Sequence, residues 1–180
     1  MADHIKTERL LLTLADINDL PALERIEKEC DDYFDFDPAC ENNHNCPLNE
    51  CLTMGDIPPG VDKEDFKKDN YFFYCVWQND DLIGFLTYYL EYKQKDTAYL
   101  SVLYIKESCR RNGVGAEIIK SLEEQLSRAG FKAIRLHCSL RNATGLRFWA
   151  KNGFDRIVDI QCDGNLYPEN FGGVELMKLL

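Results

Sequence analysis

No stretch of this chain is apolar for long enough to cross a membrane, because a spanning helix needs about 20 consecutive apolar residues and the apolar runs here are strand-length. The N-terminus, Met-Ala-Asp-His-Ile-Lys, has no apolar core of the kind a secretory signal carries. Positive charge is in short supply: 21 Lys and Arg face 31 Asp and Glu, a net of −10. That balance, with no basic stripe interleaved with aromatics, argues against a nucleic-acid partner. Two familiar phosphate loops are also missing. There is no Gly-x-Gly-x-x-Gly, and no Lys-Ser/Thr pair follows a glycine loop as nucleoside-triphosphate binding requires. Internal repeats and low-complexity linkers are absent too, so residues 1–180 read as one domain with room for a real core.

Cysteine is not scarce. Eight are scattered along the chain, several inside apparent strands or helix starts (Cys75, Cys138, Cys162). Without an export signal they read as reduced thiols, and the expectation is a cytoplasmic protein. The densest group is Cys40, His44, Cys46 and Cys51. Its spacing fits no regular zinc knuckle or ribbon, so no metal is expected.

The chain is organised around Tyr99-Leu-Ser-Val-Leu-Tyr-Ile105 and the loop and helix just after it. This apolar run, rich in aromatic and β-branched residues, reads as a buried strand. A polar loop, residues 106–112, leads into Gly113-Val114-Gly115. Then Val114, Ile118, Ile119, Leu122 and Leu126 recur at helical spacing, with Gly130 as the stop. A strand feeding a glycine loop and a helix start is anion-binding geometry, since free N–H groups and the positive end of the helix dipole meet there. Gly113 and Gly115 would let a phosphate approach the backbone, and Arg110 and Arg111 add fixed positive charge.

The spacing Arg110-x-x-Gly113-x-Gly115 resembles the pyrophosphate loop of the GCN5-related N-acetyltransferases, the GNAT superfamily. A second stretch agrees with it. Asn142-Ala-Thr-Gly-Leu-Arg-Phe-Trp-Ala-Lys-Asn-Gly-Phe154 is similar to that family's Asn-x-x-Ala/Gly…Phe-Tyr…Gly-Phe motif. The resemblance is best from about Tyr71 to Ile160. It implies an α/β (α+β) fold with a central mixed, mostly antiparallel sheet flanked by helices. It implies acetyl-coenzyme A as co-substrate, held by Leu103, Tyr104 and Ile105 on one arm of a splayed strand pair, with Ala133 to Ser139 as the other arm. The loop residues Arg110, Arg111, Asn112, Gly113, Val114, Gly115 and Ala116 would take the pyrophosphate, and Asn142 and Trp149 would contact the coenzyme arm. Asn142 also reads as a plain helix N-cap.

The rest of the chain is consistent with this. Ile5 to Leu14 reads as a first strand, and Asp16 as the N-cap of a helix bearing Leu20, Leu23 and Ile26. Residues 30–62 read as an irregular insertion on the acceptor side. Its Tyr33, Phe34 and Phe36, between acidic residues, either line an amine site or tuck into the core. Tyr71 to Gln78 and Leu82 to Tyr92 read as a hairpin through Asn79-Asp80-Asp81. Charge is divided: residues 1–104 carry 9 basic and 22 acidic side chains, net −13, whereas residues 105–156 carry 11 and 5, net +6. Such a division suits an anionic cofactor on one side and a cationic small-molecule amine or peptide amino group on the other. A homodimer is left open.

Amine acetylation needs a proton removed from the ammonium, a stabilised oxyanion, and a departing thiolate. The family's tyrosine general acid corresponds to Trp149, whose indole supplies no proton at neutral pH. Tyr104, Cys109 or water stand as substitutes, and a thiol with a pKa near 8.5 also leaves unaided. His137 is the candidate base, because imidazole titrates near neutrality and its strand parity turns it away from Leu136 and Cys138. Glu91 and Tyr99 are weaker candidates. Two other readings stay open: a binding protein of this fold that holds acyl-coenzyme A without turnover, and a metal-binding interaction domain around residues 30–51.

Overall fold

The computed structural model describes residues 2–27, 48–162 and 172–180. Asp31, Asp32, Tyr33, Phe34, Phe36, Cys40, His44 and Cys46 lie outside the described residues.

Among the described residues, eight strands form one sheet in the order β1-β2-β3-β4-β5-β6-β8-β7. The chain enters through β1 (His4–Lys6) and β2 (Leu11–Leu14), which pair antiparallel. The sequence suggested one continuous strand here. A turn divides it, because Thr7 and Leu10 close a loop: the Leu10 amide donates to Thr7 Oγ1 at 2.9 Å and the Thr7 amide to the Leu10 carbonyl at 2.9 Å. No glycine, proline or asparagine marks that turn, so its composition hides it.

Asp16 caps a short 3₁₀ turn, its carboxylate accepting from the Asn18 amide at 2.6 Å, and the chain runs on into α1 (Leu20–Glu27). Leu23 and Ile26 face inward and are buried. A second helix, α2 (Leu48–Met54), lies within the stretch expected to be irregular; it buries Leu48 and Cys51 one turn apart. β3 (Tyr71–Gln78) and β4 (Asp81–Leu90) form the expected hairpin. Asn79 and Asp80 both adopt positive φ (48° and 63°), the tight-turn geometry that matches strand twist.

β5 (Thr97–Ile105) leads through a 3₁₀ turn to α3 (Val114–Arg128). All five apolar residues singled out for this helix are buried. Gly130, at φ 90°, ends it: its amide donates to the Ser127 carbonyl and that of Phe131 to Leu126, both at 3.0 Å. β6 (Ala133–Ser139), α4 (Ala143–Lys151), β7 (Arg156–Cys162) and β8 (Gly172–Leu179) complete the fold. Every strand pairing is antiparallel except β5–β6.

The sheet has a core on each side. On one, α3 lays Ile118, Leu122 and Leu126 over Tyr74, Tyr88, Leu100 and Leu136, with Leu146 and Trp149 of α4 at the margin. On the other, Leu23 and Ile26 of α1 and Leu48 and Cys51 of α2 cover Tyr71, Phe73, Phe85, Tyr99 and Tyr104. Burying each such side chain is worth about 1.5–3 kcal/mol, so both cores hold the central strands. Cys51, Cys75 and Cys138 are buried. Burial pushes the Cys138 pKa up to about 11, which keeps that thiol protonated and unreactive.

Candidate active site: a forked sheet and a helix start

β5 and β6 pair only at Thr97–Tyr99 with Ala133–Arg135. Beyond that point β5 runs on to Ile105 and β6 to Ser139, each following its outer neighbour. The sheet therefore forks. A bulge helps to open it: Thr87 pairs with Val102 and Tyr88 with Leu100, so Ser101 is an extra residue on the β5 arm. Bulges bend the strand that carries them.

The Lys106 amide donates to the Ile83 carbonyl at 2.8 Å. By the two-residue period, the backbone of Tyr104 also faces β4, while the N–H and C=O groups of Leu103 and Ile105 face the fork. Tyr104 itself points into the α1–α2 core, 2% exposed, its ring 5.6 Å from Phe85. Tyr104 therefore turns its side chain into that core, and the strand meets the fork through the backbone on either side of it.

The fork's mouth meets the glycine loop. Arg111 (φ 63°) and Gly113 (φ 80°) are both left-handed, a curl in which consecutive N–H groups converge on an anion. Gly113 is the N-cap of α3 and offers no side-chain cap, so first-turn amides near Val114, Gly115 and Ala116 are left for another acceptor. The two glycines differ in purpose. A Cβ at Gly115 would lie 2.9 Å from the Phe148 ring and 3.4 Å from Ile105 Cδ1, so this glycine brings α3 against α4 and β5. Close approach by a phosphate is not what its missing Cβ provides, contrary to the expectation from sequence.

The two arginines also diverge. Arg111 is exposed on the loop, next to the exposed Asn112. Arg110 turns back along β5: its Nε donates to the Ile105 carbonyl at 2.7 Å and its guanidinium lies 5.3 Å from the Tyr104 ring centre. Its charge sits at the mouth of the fork.

A third arginine, which no sequence motif singles out, reaches the loop from the β1–β2 turn. Arg9 Nη1 donates to the Asn112 carbonyl at 2.9 Å, and its Nη2 lies 3.4 Å from where a Gly113 Cβ would stand. Its Nε and Nη2 both meet Glu117 Oε2 at 2.7 Å. Glu117 also accepts from Thr7 Oγ1 at 2.5 Å and from the Arg9 amide at 2.9 Å. Burial pulls the Glu117 carboxyl upward, but the Thr7 hydroxyl and the Arg9 amide and guanidinium outweigh it and hold the group below the ordinary carboxylate range. The acidic residue in the first turn of α3 is the one sequence signal that could have led to Arg9.

Asn142 is the N-cap of α4. Its Oδ1 accepts from the Gly145 amide at 2.6 Å, and a Cβ at Gly145 would collide with the Asn142 side chain, 2.6 Å away. The cap uses the oxygen and leaves the Nδ2 hydrogens for a ligand. Trp149 is wedged edge-on between Phe148 (4.8 Å) and Phe154 (5.4 Å), against the α3-side core.

On the other arm, His137 is half-buried on the face opposite Leu136 and Cys138. It is the second residue past the last β5–β6 pair and lies opposite Glu175 of β8. Glu175 is 2% exposed, meets Lys93 Nζ at 3.3 Å and is ion-paired with Arg135. Tyr99 stands at the apex of the fork, its ring 4.4 Å from Tyr92. Glu91 does not share this site: it bonds Lys67 and Asn70 at 3.4 and 3.3 Å, past the closed end of the β4–β5 pair. Cys109 is half-buried in the turn after Ile105, its Sγ 3.8 Å from Ser108 Oγ.

A depression of about 420 Å³, lined by Lys132, Arg135, Val158 and Met177 among others, lies at the closed end of the fork, away from the loop. Among the described residues no three His, Cys, Asp or Glu side chains converge as metal ligands, and no helix is long and apolar enough to cross a membrane.

The profile of the acetyltransferase (GNAT) family matches residues 25–154. The chain belongs to the GNAT family. No protein of curated function matches it significantly. Among solved structures, an acetyltransferase from Thermus thermophilus superposes with a TM-score of 0.67 at 18% identity, covering 98% of this chain and 99% of that one. The Salmonella typhimurium acetyltransferase that modifies the N-terminal serine of ribosomal protein L7/L12 gives 0.68 at 14% identity, over 97% and 96%. RimL, a ribosomal L7/L12 α-N-acetyltransferase in complex with coenzyme A, gives 0.71 at 14%, over 98% of both. At these identities the structures establish the GNAT fold for this chain.

Proposed function

We propose that this GNAT protein moves the acetyl group of acetyl-coenzyme A directly to a primary amine of a small molecule or peptide. The observation that carries this reading is the fork, with the backbone N–H groups of Leu103 and Ile105 turned away from β4 on one arm and a helix start without a side-chain cap at its mouth. The coenzyme would supply a thioester already activated for acyl transfer.

The chain's residues divide the remaining work. Leu103 and Ile105 pair with the amides of the coenzyme arm. The Arg111–Gly113 curl and the amides of Val114, Gly115 and Ala116 hold the pyrophosphate. Arg9 neutralises Glu117, so that no bare carboxylate faces the anion. The Asn142 amide hydrogens steady the arm near α4. His137, on the acceptor side of the other arm, takes the ammonium proton and frees the amine's lone pair. With Trp149 at the family's tyrosine position, the thiolate leaves without protonation from α4, as its pKa allows.

The acceptor is an amine that carries positive charge before it binds. The net −13 of residues 1–104 favours its approach, and two of the similar folds belong to enzymes acting on a protein N-terminus. Thiol release from acetyl-coenzyme A, measured against polyamines, aminoglycosides, amino-acid derivatives and short peptides, tests the proposal. Release with one class is expected. Tight coenzyme binding with no release by any class favours the second reading, an acyl-coenzyme A-binding protein, which the Trp149 wedge supports.

A further inference from the structure

Two buried hydroxyls near the fork have no hydrogen-bond partner among the described residues: Thr87 Oγ1 and Ser101 Oγ. Thr87 is 2% exposed, in the middle of β4. Ser101 is the extra residue of the β5 bulge, which sets Ser101 and Val102 together against Thr87. Leaving a buried hydroxyl unsatisfied costs about 1–3 kcal/mol, and native structures contain few such groups. Two of them on residues set against each other at one bulge leave hydrogen-bonding capacity for a polar guest.

Position narrows what that guest is. Ser101 lies two residues past Tyr99, the last β5 residue paired with β6, so it sits just inside the fork. From there β5 continues through Leu103 and Ile105 to the glycine loop, with the helix start as the anion site at the far end. A coenzyme laid along this arm with its phosphates at the loop has its acyl end at the apex, beside Ser101. His137 flanks the same apex from the β6 arm. The one polar group an acetyl thioester carries is its carbonyl oxygen, an acceptor, and the group waiting there is an O–H donor.

We propose that the Ser101 hydroxyl donates a hydrogen bond to the thioester carbonyl of the bound acetyl donor, with Thr87 as the neighbouring hydroxyl that completes the polar niche. This rests on the coenzyme reading above and adds a side-chain donor to it. A donor aimed at that oxygen gains strength as negative charge develops on it during acyl transfer, so Ser101 is a catalytic residue in the sense of touching the reacting group. The bulge adds Ser101 to the strand just where the β5 arm parts from β6.

The test uses binding and spectroscopy, with no acceptor needed. Acetyl-coenzyme A labelled with ¹³C at the carbonyl is bound to the full-length protein, and its carbonyl stretch is read by difference infrared spectroscopy. The wild type is expected to shift the band to lower frequency. Ser101→Ala should return it toward the value in water and weaken acetyl-coenzyme A relative to coenzyme A by roughly fivefold or more. Ser101→Thr, which keeps the hydroxyl, should retain the band shift, and it guards against a folding defect in the alanine variant. An unchanged band in Ser101→Ala, or equal weakening of both ligands, overturns the assignment. Wild-type protein that binds neither ligand overturns the coenzyme reading itself, a distinct result.

Discussion

His137 has its neighbours set by strand register: Glu175 stands opposite it, tied to Arg135 and Lys93, and the fork opens beside it. As the base it must shed its proton before the amine can, so the rate should rise with pH through its titration. Replacing it with alanine should lower turnover by about 10²-fold or more and abolish that limb of the pH–rate profile, while coenzyme affinity is kept. A profile that retains the limb would assign the base elsewhere. The Glu117 carboxylate gives a pH prediction of a different kind. Its folded pKa is depressed, so its contribution to stability is present above the unfolded value of about 4.3 and is lost as pH falls through the folded one. Glu117→Gln should cost about 1–2 kcal/mol at neutral pH, discounted for the partly exposed Arg9 partner, and little at pH 2. Denaturant melts at the two pH values check this, and a loss independent of pH would contradict it.

Elements tell a different story about the glycine loop. Gly113 serves backbone conformation, since its φ of 80° is strained for any side chain, whereas Gly115 serves the contact between α3, α4 and β5. Gly113→Ala should cost about 1 kcal/mol and weaken coenzyme binding through the altered curl. Gly115→Val should destabilise the whole domain by about 1–3 kcal/mol, because its branches press on Phe148. Thermal melts without ligand separate the two. If Gly115→Val melted like wild type, the packing account of that residue would fail. α3 itself was fully legible from its apolar spacing and its Gly130 stop, and the β3–β4 hairpin from Asn79-Asp80. The β1–β2 hairpin was not, because a Thr7 hydroxyl closes it in place of turn residues. Nor was α2, a seven-residue helix whose two buried residues are too few to show a period.

For the molecule as a whole, the two motifs that pointed to an acetyltransferase lie on adjoining elements: the glycine loop begins α3 and Asn142 begins α4, both on one side of the sheet. Their order in sequence was readable because each needs a short local pattern of glycine, asparagine and aromatics. The clasp of Arg9 on Glu117 and the pairing of His137 with Glu175 were not, because they join residues 108 and 38 positions apart through strand order alone. The direction of Arg110 was equally hidden, since sequence places an arginine beside the glycine loop but not the Ile105 carbonyl that its Nε meets. Sequence patterns thus marked the backbone of the candidate site, and tertiary packing chose which side chains lie beside it.

Coenzyme A binding by the forked sheet and the α3 start underlies everything proposed above. A thermal-shift titration of the full-length protein with coenzyme A tests it most directly. A ligand at about 100 times its dissociation constant adds about 2.7 kcal/mol of stability, and each kcal/mol raises Tm by about 2–4 °C in a domain of this size. The expected result is a saturable rise of about 5–10 °C that Gly113→Val greatly reduces. No rise at millimolar coenzyme A, or a full rise in the Gly113→Val protein, would contradict it.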